Sequence, residues 1–266
     1  MTVLVNGEPV STINVADRGL QYGDGLFETI AWRHQQLEHW EAHMLRLSLG
    51  CDRLDIKLPD TTKLKEECLA VAEQQQLAVI KIIITRGAGG RGYKPDSETM
   101  STRIVASHPW PEDMEKYAAQ GINCSICKLR LSINPVLAGI KHLNRLEQVL
   151  ASHELENTRF QEGLLLDSDN RLISGTKSNI FLVRNNTLYT PDLTRTGIAG
   201  VMRANILAIA PSLGLAVNIQ DLQVGELRTA EEIFVTNSII GLWPVRSIDN
   251  SQYNIAQWTR KIQQIL

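Results

Sequence analysis

The chain has 266 residues, 43% hydrophobic and 21% charged, a composition that fits a folded globular protein and excludes disordered and collagen-like classes. Its 27 basic and 29 acidic side chains leave a net charge of -2 with no basic block, which argues against nucleic acid as the partner. Apolar runs such as residues 78–84 are strand-sized and far short of a membrane span, and the first seven residues carry no signal-peptide features. A cytoplasmic protein without membrane contact is expected.

In chain order, Asn6-Gly7 marks a tight hairpin. Residues 26–33 read as a strand, His34-Gln35 as a turn, and residues 37–40 as a second short strand. Met44, Leu47, Cys51 and Leu54 recur at helical spacing over residues 41–54. Asp60 offers a cap for a helix that runs through Leu64, Cys68 and Val71 to about Gln75. Strands follow at 78–85 and 102–107. His108-Pro109-Trp110-Pro111-Glu112-Asp113, with two prolines, predicts a domain boundary. The expected division is a small α+β domain at 1–107, a linker at 108–121 and a larger domain at 122–266. The larger domain should hold a strand at 122–130, a helix at 143–156, and a hairpin turning at Ser168-Asp169-Asn170. Beyond it come strands at 179–183 and 187–190, a helix at 200–213, a strand at 232–236 and a terminal helix from Asn254. Many short strands with few helices predict an α+β fold.

Several motifs lead nowhere. Cys124 and Cys127 form a C-x-x-C within a strand, where positions three apart face opposite sides, so a disulfide or a shared metal is not expected. Gly87-Ala88-Gly89-Gly90-Arg91-Gly92 has the spacing of a dinucleotide motif, but Pro95 follows where that motif requires a helix. A flexible loop presenting Arg86 or Arg91 to an anion fits better. The histidines offer no metal pair, and no G-x-S-x-G elbow is present. Three other segments carry chemistry. Gly197 to Arg203 places a helix start where a phosphate could sit. Thr236-Asn237-Ser238 is a hydroxyl-rich strand end. Lys141, beside Gly139 in an apolar stretch, could act as a nucleophile if it is partly buried.

Taken together, these segments resemble the fold-type IV pyridoxal-phosphate enzymes, which comprise branched-chain and D-amino-acid aminotransferases and aminodeoxychorismate lyase. The resemblance runs nearly the whole chain. Asp17-Arg18-Gly19-Leu20-Gln21-Tyr22-Gly23-Asp24-Gly25-Leu26-Phe27-Glu28-Thr29 is similar to the family's N-terminal signature, and His43-Met44-Leu45-Arg46-Leu47 to its phosphate-arginine motif. Arg86 to Tyr93 and Leu137 to Val149 resemble the lyase branch. The resemblance implies a two-domain architecture like that of D-amino-acid aminotransferase, pyridoxal 5'-phosphate as cofactor, and a homodimer with the site between the domains. It implies Lys141 as the Schiff-base lysine, carried by the larger domain. Arg46, the Val201 and Met202 amides, Ser238 and the Ile239 amide would hold the phosphate, and Asn179 also matches. No metal is implied.

The family usually has a glutamate where this chain has Ser174. A carboxylate keeps the pyridine nitrogen protonated, whereas a hydroxyl can only hydrogen-bond it. That departure weighs more against transamination than against a lyase whose product becomes aromatic. The implied reaction is conversion of 4-amino-4-deoxychorismate to 4-aminobenzoate and pyruvate in folate synthesis. Arg91, with Arg145 and Lys177 behind it, is the candidate for the substrate carboxylates. An aminotransferase, or a catalytically idle cofactor- or partner-binding protein, are the alternatives.

Overall fold

The computed structural model describes residues 2–96 and 99–266. The chain divides into two compact units, Met1–Pro111 with Ile140–Asn144, and Glu112–Gly139 with Arg145–Leu266. Among the described residues, no helix is long and apolar enough to cross a membrane.

The first unit contains β1 (Val3–Val5), α1 (Arg18–Tyr22), β2 (Gly25–Arg33), β3 (Gln36–Leu37), α2 (Trp40–Leu54), α3 (Thr61–Ala72), β4 (Ala78–Thr85) and β5 (Thr102–Pro109). Its sheet is antiparallel, in the order β1-β5-β4-β2-β3. The twofold alternation of β2 and β4 buries Leu26, Glu28, Ile30, Ile80, Ile82 and Ile84. Each aliphatic side chain so buried contributes roughly 1.5–3 kcal/mol. Helix α2 packs on β2, and α3 on β4 and β5. Phe27, Thr29, Lys81 and Ile83, the alternate residues, stay half-exposed. The Asp60 carboxylate caps α3 by accepting from the Thr62 and Lys63 amides. His34 and Gln35 make the expected turn, both at positive φ. The following strand is shorter than expected because His39 takes a left-handed conformation and α2 begins at Trp40.

The expected linker at 108–121 is instead structured. His108 and Pro109 pair with Val79 and Ala78 to finish β5, and Met114–Gln120 forms α4. The prolines bracket a strand end and a turn rather than an extended linker. Lys141 also falls differently from the expectation. The Phe27 amide donates to the Lys141 carbonyl (3.0 Å) and the Leu143 amide to the Gly25 carbonyl (3.0 Å), with Leu26 opposite His142. Residues 140–144 therefore belong with the first unit, and the next helix, α5 (Leu146–His153), starts later than residue 143.

The second unit is built on a ten-stranded mixed sheet. It comprises β6 (Ile122–Leu131), β7 (Glu162–Asp167), β8 (Arg171–Gly175), β9 (Asn179–Arg184), β10 (Thr187–Pro191), β11 (Ala216–Gln220), β12 (Leu222–Gln223), β13 (Glu232–Asn237), β14 (Gly241–Ile248) and β15 (Ser251–Gln252). The order is β11-β10-β9-β13-β14-β6-β7-β8-β12, with β15 on β14. Beside α4 and α5, this unit carries α6 (Val201–Ile209), continued by a 3-10 turn at Ala210–Leu213, and α7 (Gln257–Gln263). Cys124 packs with Ile122, Leu164 and Val245, while Cys127 packs with Leu131, Leu165 and Ile173 in a separate cluster. The sulfurs therefore lie on opposite faces. Burial pushes the Cys127 thiol up to about 12 and that of Cys124 well above its ordinary value, so neither is a reactive thiolate.

Candidate active site

In the second unit, two asparagines lace three segments together. Asn179, at the start of β9, donates from Nδ2 to the Ile198 carbonyl (2.9 Å). Asn237, at the end of β13, donates from Nδ2 to the Lys177 carbonyl (2.9 Å), while its Oδ1 accepts from the Ile239 and Ile240 amides (2.9 Å each). Residues 174–179, 197–202 and 237–240 are thereby held as one cluster. Gly139, just before the lysine segment, joins it: its amide donates to the Gly197 carbonyl, and the Ala199 amide donates to its own carbonyl.

Helix α6 starts in this cluster with no side chain capping it, so the Val201 and Met202 amides and the positive helix end are presented by backbone alone. The approach is close. A Cβ on Gly200 would stand 2.1 Å from Asn179 Oδ1, so glycine keeps this loop against the asparagine. Glu162 fixes the neighbouring turn, accepting from the Thr176 amide (2.9 Å), Thr176 Oγ1 and Ser178 Oγ (2.8 Å). The Val201 and Met202 amides at the uncapped start of α6 suit an oxyanion such as a phosphate.

In the first unit, consecutive residues of β2 anchor two chemical groups. Phe27 points to the half-exposed face. Lys141 lies opposite it across the added strand, and its Nζ sits 4.2 Å from the centroid of the Phe27 ring. Lys81 reaches the same ring, with Nζ at 5.7 Å. Glu28 points to the buried face, toward α2. Its carboxylate accepts from Arg46 Nε (2.8 Å) and Nη2, and from His43 Nδ1 (2.7 Å). Burial opposes ionisation of Glu28, but the Arg46 charge and the bonds from Arg46 and His43 outweigh it and hold the carboxyl at about 2. His43 is buried, and desolvation keeps its ionisation below the ordinary histidine range despite the Glu28 carboxylate.

The amino-transferase class IV pattern matches residues 25–248, which is most of the chain. The chain belongs to the amino-transferase class IV family. Its similarities within the family are graded. It is 45% identical to 4-amino-4-deoxychorismate lyase of Pseudomonas aeruginosa, with a TM-score of 0.95, covering 99% of this chain and 97% of that one. It is 36% identical to aminodeoxychorismate lyase of Vibrio harveyi across 97% of both chains. Branched-chain amino acid aminotransferase of Escherichia coli is 27% identical, with a TM-score of 0.87, over 99% of this chain and 92% of that one.

For a class IV chain, the residues read from sequence sort as follows. Ser174, Lys177, Asn179, Val201, Met202, Ser238 and Ile239 lie in the laced segments of the second unit. The Ile239 amide differs from the expectation, because Asn237 Oδ1 already takes its hydrogen. The Ser174 hydroxyl donates to the Gly175 carbonyl (2.8 Å). Lys177 is exposed, with Nζ 6.0 Å from the Trp243 ring. Arg145, just before α5, is half-buried, and desolvation brings it down to about 10, still cationic at neutral pH. Lys141 and Arg46 stand on opposite faces of β2 in the first unit, and Arg91 is exposed on its glycine-rich loop.

Arg86 cannot serve an anion as expected. It is spent on Asp24 and on the Leu54 and Asp55 carbonyls at the end of α2. The N-terminal signature builds the frame of the same loop. Arg18 holds the Gly92 and Tyr93 carbonyls (2.9 and 2.8 Å) and Asp24, while Asp17 caps α1 and accepts from Thr85. Sequence reasoning missed Glu28 and Lys81. Glu28 lies inside the quoted signature, and a lone charge in the apolar run at 78–85 was the available signal for Lys81.

Proposed function

We propose that this chain cleaves 4-amino-4-deoxychorismate to 4-aminobenzoate and pyruvate, as an aminodeoxychorismate lyase acting in folate synthesis. The observation that carries the reading is the 45% identity, over 99% of the chain, to the Pseudomonas aeruginosa lyase, against 27% to the Escherichia coli aminotransferase. The cofactor is pyridoxal 5'-phosphate, and the donors present fit it. The uncapped start of α6, closed up by Gly200, offers the amides of Val201 and Met202 to a phosphate, with Arg46 and Ser238 as further donors. When bound, the cofactor supplies an electron sink conjugated to the substrate amine.

The remaining work belongs to side chains. Lys141 Nζ, set over the Phe27 ring, takes the proton from substrate C4. The ring then aromatises as the C–O bond to the side chain breaks, and the released enolpyruvate takes up a proton to become pyruvate. Atoms balance without oxidant, reductant or water. With the cofactor bound, Ser174 would be the neutral partner of the ring nitrogen, and Asn179 holds the loop before α6 in place. The substrate's two carboxylates call for local cations in a chain of net charge -2. Arg91, Arg145 and Lys177 are the candidates, joined by Lys81 through its position on the Phe27 ring.

The protein works as a cytoplasmic homodimer in this reading. Support comes from exposed apolar side chains one helical turn apart, Leu45 and Leu49 on α2 and Leu146 and Leu150 on α5. Incubation with 4-amino-4-deoxychorismate should release equimolar pyruvate and 4-aminobenzoate, and incubation with D-alanine and a keto acid should give little transamination. Rapid transamination without pyruvate release from the first substrate would assign the chain to the aminotransferases. A purified protein that binds no cofactor would make it an idle member.

A further inference from the structure

We propose that Glu28, braced by His43, is a positioning residue that fixes the direction of the Arg46 guanidinium and so tunes recognition of the cofactor phosphate. The proposal rests on the reading of Arg46 as a phosphate ligand. Glu28 is 1% exposed, and its two oxygens accept from Arg46 Nε and Nη2, which is the planar fork geometry a carboxylate offers an arginine. His43 stands three residues before Arg46 on α2 and donates from Nδ1 to the same carboxylate at 2.7 Å. The bonded Nδ1 leaves Nε2 as the bare ring nitrogen, and that atom is buried without a hydrogen-bond partner among the described residues. His43 therefore spends its polar capacity on Glu28, sharing Oε2 with Arg46 Nη2 while Arg46 Nε takes Oε1.

A buried carboxylate beside a phosphate-binding arginine looks counterproductive, because it cancels a positive charge. What it supplies is order. An arginine side chain loses rotamer entropy when fixed. A fork bonded before the ligand arrives has already met that cost. The register links this to the reaction face, since Glu28 and Phe27 are neighbours on β2, and the Phe27 amide holds the Lys141 carbonyl. One rigid strand thereby carries the seat of the lysine and the brace of the arginine.

The test uses full-length protein stripped of cofactor and titrated, by absorbance, with pyridoxal 5'-phosphate and separately with pyridoxal, which lacks the phosphate. Glu28→Gln keeps the shape and loses the charged fork. It should weaken the phosphorylated ligand by about tenfold, the scale of one charge-assisted hydrogen bond, and leave pyridoxal unchanged. A merely structural role would weaken both ligands alike. Glu28→Asp, which keeps the charge but is too short to span the fork, serves if Glu28→Gln does not fold, and should shift the same ratio. Arg46→Lys separates the two readings. If it leaves the ratio of affinities unchanged, Arg46 is not the phosphate ligand. If it shifts the ratio while Glu28→Gln and Glu28→Asp do not, the positioning role is wrong. In the Arg46→Lys background, Glu28→Gln should have no further effect on the ratio, and an undiminished effect there would also overturn the proposal.

Discussion

Glu28 and His43 illustrate how single buried groups tie stability to pH. Both groups ionise lower in the fold than in the unfolded chain, Glu28 falling from 4.5 to about 2. For each, the stabilisation is complete above the unfolded value and drains away as pH falls through the window between the two values. Loss should begin near pH 6.5, where His43 would otherwise take a proton beside Arg46 and His39. It should steepen between about pH 4.5 and 2 as Glu28 is forced to protonate, a contribution on the order of 3 kcal/mol. Urea midpoints measured across that range should fall with acidity, and Glu28→Gln should flatten the lower part of the curve. An unchanged slope in the variant would contradict the assignment. Ser174 makes a second test at this scale. A glutamate there would hold a pyridine nitrogen protonated, so Ser174→Glu should shift the cofactor absorbance band and raise transamination with D-alanine on the order of tenfold. If neither moves, Ser174 does not address the ring.

At the scale of elements, the phosphate site proposed here is α6 and the loop before it. The helix has no side-chain cap, and the loop is packed so closely that Gly200 has no room for a Cβ against Asn179. Gly200→Ala should push Asn179 off the Ile198 carbonyl and weaken pyridoxal 5'-phosphate binding by about tenfold, with a stability loss of roughly 1–3 kcal/mol from overpacking. Unchanged affinity in an equilibrium titration would contradict the cradle. The sequence announced this helix through its glycine and its apolar spacing. It could not announce that the Ile239 amide is consumed by Asn237, because Asx turns depend on local side-chain choice rather than on pattern. The short α1 and the edge strand β11 also escaped notice. Helix α1 is a single capped turn, and β11 is largely exposed, so neither has a buried periodicity to read. Strand β14 hid behind Pro244, which sits within it opposite Phe234.

For the whole molecule, alternating apolar strands and the capped α3 made the α+β class legible, and the order of elements followed. The division into units was harder to read. Residues 108–121 contain two prolines and look like a linker, yet β5 runs into them and α4 grows out of them. Residues 140–144 lie within the second half of the sequence and fold with the first, because three residues of added strand bond to β2. Long-range pairs such as Thr85 with Asp17, or Arg18 with the Gly92 and Tyr93 carbonyls, join positions that no local spacing connects. The signature residues were visible as a motif, but their work as the frame of a loop needed the fold. Charge shows the same limit, since a net value of -2 conceals Lys81 and Lys141 on one ring.

The most direct test of the lyase reading is pyruvate release from 4-amino-4-deoxychorismate, measured side by side for the cofactor-loaded protein and for Lys141→Ala. The protein should release pyruvate and 4-aminobenzoate in equal amounts. Lys141→Ala should lose at least about a thousandfold of the rate, in keeping with removal of a proton-transfer group and nucleophile. Pyruvate release by the variant at a rate near that of the parent would contradict the account.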